Sequence, residues 1–334
     1  MRFLRNLLIF LAVVVVLAVG IGFVLPDTAH VERSVTIDRP PSQVFTVLNG
    51  FRRFNEWSPW FDKDPNAKYT YSGPATGVGA MESWSGNKDV GIGSQTITES
   101  KPYESIKAAL DFGEMGKAAA TYVLTPVAQG TKVTWSLDVN AGGKLIGRYF
   151  NLMMDSMVGK DYDKGLAKLK TFVEGMPATD VSGISGNEVT VAAKKIYFVA
   201  GTATVETAKD VLTAAYSSIG TFMASNKISM QGAPLTITTS HEGEPWAFNA
   251  GIPVDRNDVA AAGNIQSGTT YAGKAVQFMH VGPYEQLPDA TKKAFGWLTL
   301  QAYKPAGGPI EEYVNDPTTV PPEQIQTRIT IPVQ

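Results

Sequence analysis

The side chains in this sequence that could do chemistry are mainly carboxylates and aromatic rings. There is no cysteine, which excludes disulfides, thiolate metal sites and a cysteine nucleophile. The three histidines, His30, His241 and His280, have no paired spacing, so no zinc site of the usual kind is expected. A P-loop, a dinucleotide-binding glycine motif and a nucleophile elbow are also missing from the sequence. We therefore expect neither a metal nor a cofactor.

One short segment, Glu311-Glu312-Tyr313, combines two carboxylates with an aromatic ring. If the segment is a strand, Glu311 and Tyr313 point to one face and Glu312 points to the other. A buried carboxylate beside aromatic rings suits a cation, through charge and cation–π attraction. Burial would also raise the pKa of the carboxyl and allow it to act as a general base. Alternatively, both carboxylates are surface charges, as acidic residues usually are.

The elements around this segment indicate an internal duplication. Residues 189–200 are predicted to form a strand, residues 207–225 a helix and residues 235–239 another strand. The same order returns further along the chain, and a Gly-x-Pro sequence precedes the last strand of both copies; the second copy comprises 271–281, 287–302 and 310–314. One such unit cannot bury its sheet face alone. Two copies side by side are expected to form a sheet with helices on one face and a cleft on the other.

This half of the chain resembles the gyrase-inhibitor-like (GyrI-like, AraC-type) effector-binding domain, which also serves as the drug-sensing part of multidrug-responsive regulators. The resemblance is carried by Trp297 and by the stretches 246–254, 278–285, 311–317 and 329–333. It implies a duplicated strand–helix–strand fold of the SHS2 type. It also implies that Glu311, with Tyr313 on its face, is a buried acid that meets the cationic or polar part of a ligand. The proposed aromatic walls of that pocket are Trp246, Phe248, Tyr271 and Tyr284.

The first half of the chain has a different order of elements. It predicts one strand at 31–37, two small helices, about six strands between residues 68 and 140, and a long helix from about residue 150. This order resembles the START-like, polyketide cyclase-like superfamily (SRPBCC), and the stretches that carry the resemblance are 35–45, 54–60 and 159–169. The resemblance implies a helix-grip fold, in which a curved sheet surrounds the long helix and leaves a cavity for an apolar ligand.

Two groups of apolar residues in this half could line such a cavity. Trp57, Trp60, Trp84 and Trp135 are candidate cavity-lining residues, the first three as ligand-binding residues, and the alternative is that each is part of the core. The long helix is predicted to carry an apolar stripe that includes Phe150, Met153, Met154 and Met157. A methionine stripe at this spacing usually packs, although it can also form an adaptable wall.

The N-terminal segment 7–25 carries no charged or strongly polar side chain. At about 1.5 Å per residue, a helix of this length approaches the ~30 Å of a bilayer core. Arg2 and Arg5 precede it, whereas Asp27 and Glu32 follow it, so the positive-inside rule places the N-terminus in the cytoplasm. The alternative is a cleaved signal peptide, which normally has a shorter apolar stretch and small residues at the cleavage site.

The sequence thus predicts an α+β protein with a membrane anchor (1–29), a helix-grip domain (30–175), a linker (176–187) and an effector-binding domain (188–334). The net charge of −2 and the absence of a basic cluster argue against a nucleic-acid partner. The predicted function is a membrane-tethered, extracytoplasmic sensor or carrier of apolar or amphipathic small molecules, cationic ones included. It would be periplasmic in a Gram-negative source. The alternatives are a hydrolase of small electrophilic compounds that uses Glu311, and an interaction protein with filled pockets.

Overall fold

The computed structural model describes residues 2–240 and 245–334, so His241 lies outside the described residues. The chain forms two compact units, Met1–Thr179 and Asp180–Gln334, which we call the first and second units. The first unit has a long apolar helix and a seven-stranded antiparallel sheet, and the second has an eight-stranded antiparallel sheet. The predicted α+β class is therefore confirmed.

The first unit begins with helix α1 (Arg2–Val24), strand β1 (Thr28–Ile37) and the short helices α2 (Pro41–Leu48) and α3 (Phe54–Trp57). Six strands follow: β2 (Lys68–Ser72), β3 (Met81–Ser85), β4 (Ile92–Lys101), β5 (Ser105–Asp111), β6 (Lys117–Val127) and β7 (Gly130–Asn140). The last helices are α4 (Leu145–Asn151) and α5 (Met154–Glu174). Each strand from β2 to β6 pairs with the next strand along the chain, and β1 pairs with β7 at one edge of the sheet.

An aromatic cluster joins α5 to the inner face of this sheet. Tyr162 of α5 stacks on Trp135 of β7, with ring centroids 3.8 Å apart, and both side chains are buried. Tyr122, the cross-strand neighbour of Trp135 on β6, stacks on the other side of the indole at 5.3 Å. Large buried rings contribute strongly to core stability, so this stack fixes the long helix on the sheet.

The long helix differs from its prediction at its N-terminal end. The chain breaks between α4 and α5, and Phe150, Met153 and Met157 are each more than half exposed instead of facing the core. The break follows from contacts of α4 with α1. The Tyr149 hydroxyl donates a hydrogen bond to the Ala18 carbonyl of α1, which turns α4 away from the path of α5. The predicted inward stripe over these residues is therefore wrong.

Two helix glycines provide a test of packing against the sheet. A Cβ atom on Gly165 of α5 would lie 2.9 Å from the Trp135 ring, whereas a Cβ atom on Gly220 in the second unit would meet nothing within 4 Å. We expect Gly165→Ala to lower the free energy of unfolding by about 1–3 kcal/mol through overpacking. Gly220→Ala should raise it by about 0.5–1 kcal/mol, because alanine loses less backbone entropy in a helix. Urea unfolding measures both; equal effects would contradict the packing described here.

The second unit is built from strands β8 (Asn187–Val191), β9 (Lys195–Ala203), β10 (Leu235–Ser240), β11 (Trp246–Pro253), β12 (Ile265–Thr269), β13 (Gly273–Val281), β14 (Ile310–Tyr313) and β15 (Gln326–Pro332). Its helices are α6 (Ala208–Ser225) and α7 (Leu287–Leu300). The single strand predicted at 189–200 is two strands, because the chain leaves β8 on one edge of the sheet and enters β9 near the other.

The sheet order of the second unit shows the predicted duplication. The strands lie in the order β12-β9-β11-β10-β14-β15-β13-β8. The run β9-α6-β10-β11 therefore forms one half and β13-α7-β14-β15 the other, each half in the same internal order. The halves meet where β10 pairs with β14. The sequence predicted the first three elements of each copy. It did not predict the fourth element, which is β11 in one copy and β15 in the other.

Candidate functional site

The strip of sheet between the two helices of the second unit, which we call the groove, brings the predicted acid and several aromatic rings together. Helix α6 packs on β9 and β11, and α7 packs on β13, so the central strands β10 and β14 lie between the two helices. Thr236 of β10 pairs with Glu311 of β14, which places both side chains on the floor of this groove. The groove lies on the face where the helices pack, whereas the helix-free face, where the cleft was expected, carries a cavity of about 230 Å³ lined by Glu312 and Arg328.

Glu311 is the charged group of the groove floor and is 8% exposed. Its Oε1 accepts a hydrogen bond from the Thr291 hydroxyl of α7 at 3.1 Å, and its Oε2 accepts one from the Thr236 hydroxyl at 3.4 Å. Burial raises the pKa of the Glu311 carboxyl, and these two hydroxyl donors oppose that rise. Within the described residues Glu311 has no basic partner.

Three tyrosine rings form a cluster on the face of the sheet that carries the Glu311 carboxyl. Tyr313 lies on the same face of β14, and its hydroxyl is 3.1 Å from the Thr236 hydroxyl. Its ring meets the edge of Tyr284 at 5.4 Å and of Tyr216 on α6 at 6.4 Å. Burial raises the pKa of the Tyr313 hydroxyl, and the Glu311 charge adds to that rise, so this phenol stays neutral. The result is a neutral, aromatic wall beside a buried acid.

The two predicted residues of β11 occupy the same face but differ in burial. The Trp246 indole N–H donates a hydrogen bond to the Thr238 hydroxyl at 3.0 Å, and the ring is only half-buried. Phe248 is 1% exposed and belongs to the cluster that packs under α6. Its ring lies 4.3 Å from that of Trp246. Trp246 can therefore border the groove, whereas Phe248 supports it from the core.

The structure does not bring Tyr271 to Glu311. Tyr271 lines a cavity of about 230 Å³ on the opposite face of the sheet, together with Glu312. There Glu312 forms an ion pair with Lys194 and a second with Arg328 at 3.2 Å. The expected wall role of Tyr271 beside Glu311 is corrected accordingly, because the residue lies on the other side of the sheet. The predicted alternation of Glu311 and Glu312 across the two faces agrees with this geometry.

Sequence reasoning missed three residues of the groove. Thr236 and Thr291 hold the carboxyl, and Tyr216 faces Tyr313, yet none of them was predicted as a site residue. Alternation along β10 places Thr236 on the same face as Thr238, but the sequence does not show that β10 pairs with β14.

The tryptophans of the first unit form two separate groups. Trp57 and Trp60 both meet Trp135, with ring centroids at 5.6 and 5.8 Å, and Trp57 is 1% exposed. Trp84 lies apart, against Phe112 at 6.0 Å, and its indole N–H donates to the Val90 carbonyl. The first pair thus joins the core cluster that holds α5 in place.

Both units correspond to protein families of small-molecule-binding type. Residues 28–174 match the family described as polyketide cyclase / dehydrase and lipid transport, and residues 187–334 match the GyrI-like small molecule binding domain. The chain therefore consists of a polyketide cyclase (SRPBCC) domain followed by a GyrI-like small-molecule binding domain. Both resemblances predicted from the sequence are confirmed.

Solved structures with similar folds include three that cover about half of this chain. A complex of EcmrR with DNA is 15% identical, with 58% of this chain and 73% of that chain covered and a TM-score of 0.43. The EcmrR C-terminal domain is 19% identical over 46% of this chain and 98% of that chain, with a TM-score of 0.41. A hydrolase from Listeria innocua is 15% identical over 49% and 98%, with a TM-score of 0.35. Among curated proteins, no match was found.

Proposed function

We propose that the second unit binds amphipathic organic cations in the groove above Glu311, and that α1 holds the protein in a membrane with both units outside the cytoplasm. The observation that carries the first part is a buried carboxylate without a basic partner among the described residues, set among tyrosine rings. An uncompensated buried charge is costly, and a ligand cation would remove that cost. Aromatic faces add cation–π attraction.

The neighbouring Glu312 supports this proposal by contrast. It is as buried as Glu311, but Lys194 and Arg328 neutralise it within the protein. Buried carboxylates are normally paired with a basic side chain. Glu312 has two such partners, whereas Glu311 has none among the described residues. The unpaired Glu311 lies in the groove between two helices, where a ligand can enter from one side of the sheet.

The binding test compares two ions of matched shape and opposite charge. The full chain in lipid nanodiscs is dialysed against tetraphenylphosphonium or tetraphenylborate, and binding to empty nanodiscs is subtracted. We expect saturable binding of the phosphonium ion and none of the borate. Equal binding of the two ions would show that the groove recognises apolar surface without regard to charge, and the cation proposal would then be wrong.

A hydrolase is the second candidate function, because burial raises the pKa of Glu311 toward the range of a general base. In that reaction Glu311 would take a proton from water while the water oxygen attacks a ring carbon of a strained electrophile, the ring C–O bond breaks, and Glu311 returns the proton to the resulting alkoxide. An epoxide such as styrene oxide would give the diol. Turnover by the full chain that is lost in Glu311→Gln would favour the enzyme. Binding of the phosphonium ion with no turnover favours the binder.

Helix α1 supports the tethered arrangement. Among the described residues it is the one helix long and apolar enough to cross a membrane, and its side chains are almost all exposed. Its C-terminal end is fixed to the first unit rather than linked flexibly. Arg148 donates hydrogen bonds to the Phe23 carbonyl at 2.8 Å and the Leu25 carbonyl at 3.3 Å, and it pairs with Asp27 at 3.2 Å.

The cysteine-free sequence allows a direct test of topology. We expect a membrane-impermeant maleimide to label Lys209→Cys, an exposed position on α6, in intact cells or spheroplasts. Asn6→Cys should be labelled only after lysis, because the positive-inside rule puts it in the cytoplasm. Gel-shift of the labelled protein measures both. Loss of the Asn6→Cys position from the mature protein would identify a cleaved signal peptide, and labelling of neither cysteine in intact cells would place the second unit inside.

A further inference from the structure

Helix α4 and the start of α5 leave a group of large apolar side chains exposed on one part of the first unit. Between residues 146 and 157, five such side chains are each more than half exposed: Ile146, Phe150, Leu152, Met153 and Met157. Single exposed apolar residues are ordinary on a protein surface. A group of them on neighbouring residues indicates a surface that meets another protein or a membrane.

The position of α4 along the apolar helix α1 is fixed by direct contacts. The Tyr149 hydroxyl donates a hydrogen bond to the Ala18 carbonyl. Gly22 is the buried residue of α1, and a Cβ atom on it would lie 2.8 Å from the Leu145 side chain. The missing side chain lets the two helices approach closely at this point. Helix α4 therefore lies beside the last turns of α1 and not beyond its end.

These contacts set the depth of α4 if α1 crosses a membrane. Ala18 is seven residues before Leu25, the last residue of the apolar segment, and this distance corresponds to about 10 Å along the helix axis. A helix that lies in a membrane interface buries its apolar face by about 5–10 Å. Since Tyr149 bonds to Ala18, this end of α4 is held within the apolar part of the bilayer.

The charges of α4 are compatible with such a position. From Leu145 to Met154 the sequence has no acidic residue and one basic residue, Arg148. Arg148 pairs with Asp27 at 3.2 Å and donates to two backbone carbonyls at the end of α1, so the protein itself satisfies this charge. Lys144 precedes the helix and is exposed. Its long side chain can place the ammonium among lipid headgroups while its stem stays in apolar surroundings.

We propose that α4 lies in the non-cytoplasmic leaflet of the membrane that α1 crosses, with Ile146, Phe150 and Leu152 in contact with lipid acyl chains. This arrangement rests on the tether proposed above for α1. Lipid is the partner because α4 packs directly on the membrane helix and is held at the depth of its last turns. The bilayer then covers the side chains that the protein leaves exposed. A unit held at both α1 and α4 has a fixed orientation on the membrane.

Single cysteines in the cysteine-free chain test this depth. The full chain in phosphatidylcholine–phosphatidylglycerol nanodiscs is reacted with a membrane-impermeant maleimide, which needs the thiolate. Because a thiol in hydrocarbon does not ionise, Ile146→Cys and Phe150→Cys should react at least about tenfold more slowly than Val127→Cys. The protein alone predicts the opposite order, since Ile146 is 72% and Phe150 57% exposed, against 40% for Val127.

Val127 is a matched control, because it lies at the end of the first sheet that is far from α1. It pairs with Gly130, whereas the chain enters this sheet from α1 at Thr28, which pairs with Asn140 at the other end of β7. Substitution at these exposed positions removes no core contact. Unequal folding of the variants therefore does not explain a difference in their reaction rates.

Val16→Cys, near the middle of α1, reports the tether separately and should not react in nanodiscs. If it is protected while the α4 cysteines react as fast as Val127→Cys, α4 lies in water. The position proposed for α4 is then wrong and the tether stands. If Val16→Cys reacts as well, α1 is not in the bilayer, and both proposals fail.

A lipid-borne quencher distinguishes lipid from a second copy of the chain, which would also protect α4. The same variants are labelled with a fluorophore and placed in nanodiscs with phosphatidylcholine that carries a nitroxide near the top of its acyl chain. We expect severalfold stronger quenching at Ile146→Cys and Phe150→Cys than at Val127→Cys. Protection without quenching, together with a disulfide-linked dimer of Phe150→Cys, would show that a second copy covers α4 and would overturn the inference.

Discussion

Replacing Glu311 with glutamine should weaken the binding of tetraphenylphosphonium by about tenfold to a hundredfold at pH 8. Glutamine keeps the size of the side chain; its oxygen can accept from one of the Thr291 and Thr236 hydroxyls, and its amide N–H can donate to the other. The substitution thus removes the negative charge and keeps the groove's hydrogen bonds. In a buried groove that charge is poorly screened by water, which is why its loss has a large effect. Equilibrium dialysis of the full chain in nanodiscs measures the change.

Glu312→Gln is the matched control, since it removes a charge from the adjacent residue on the other face of the same strand. Lys194 and Arg328 already neutralise that carboxylate, so phosphonium affinity should stay within about twofold. An equal loss in both variants would point to long-range attraction rather than to the groove. In the wild type, binding should fall on acidification, and at a higher pH than for an exposed glutamate, because burial raises the pKa of Glu311.

The second large effect concerns the stability of the first unit and Glu82, a carboxyl of β3 whose pKa is raised by complete burial. Its pKa is about 7 in the folded protein against 4.5 in its ordinary state, so the folded state holds this proton more tightly. The stabilisation is complete below pH 4.5 and is lost as pH rises through 7, by about 3 kcal/mol in all. Glu82→Gln cannot ionise. We therefore expect its free energy of unfolding to exceed that of the wild type increasingly between pH 5 and pH 8.5.

Urea unfolding followed by tryptophan fluorescence measures this difference, because Trp57, Trp60, Trp84 and Trp135 all lie in the first unit. Glu114→Gln serves as the control, since Glu114 is exposed. It should change the free energy of unfolding by less than about 0.5 kcal/mol at both pH values. A wild type and a Glu82→Gln variant with the same pH dependence would mean that the pKa of Glu82 is the same in the folded and the unfolded protein, so that burial does not raise it.

Periodicity and alternation predicted much of the architecture. The six strands between residues 68 and 140, the duplication of the second unit and the shared face of Glu311 and Tyr313 all follow from patterns of two or 3.6 residues. These patterns are local properties of the sequence. The path of the chain between strands is not a local property, and this is why β8 and β9 were predicted as one strand.

The features that the sequence did not predict correctly depend on contacts between residues that are distant along the chain. Nothing in the sequence around residue 152 marks the end of a helix; α4 turns because Tyr149 and Arg148 bond to α1. Tyr271 lies on the wrong side of the sheet for Glu311: it is in the turn between β12 and β13, and the sequence does not show on which side that turn lies. Glu82 looks like a surface residue in a polar stretch. Its alternation with Trp84 was the available signal, but only the pairing with Gln95 shows that this side of β3 is buried.

The meeting of β10 and β14 places a local dyad through the groove. Gly232-Ala-Pro234 precedes Thr236 as Gly307-Gly-Pro309 precedes Glu311, so these two paired residues are symmetry mates with different chemistry. One half thus offers a hydroxyl where the other offers a charge. A groove with twofold symmetry would bind an elongated ligand in two opposite directions with equal energy. The single acid removes this symmetry, so a ligand that carries its charge at one end has one preferred direction in the groove.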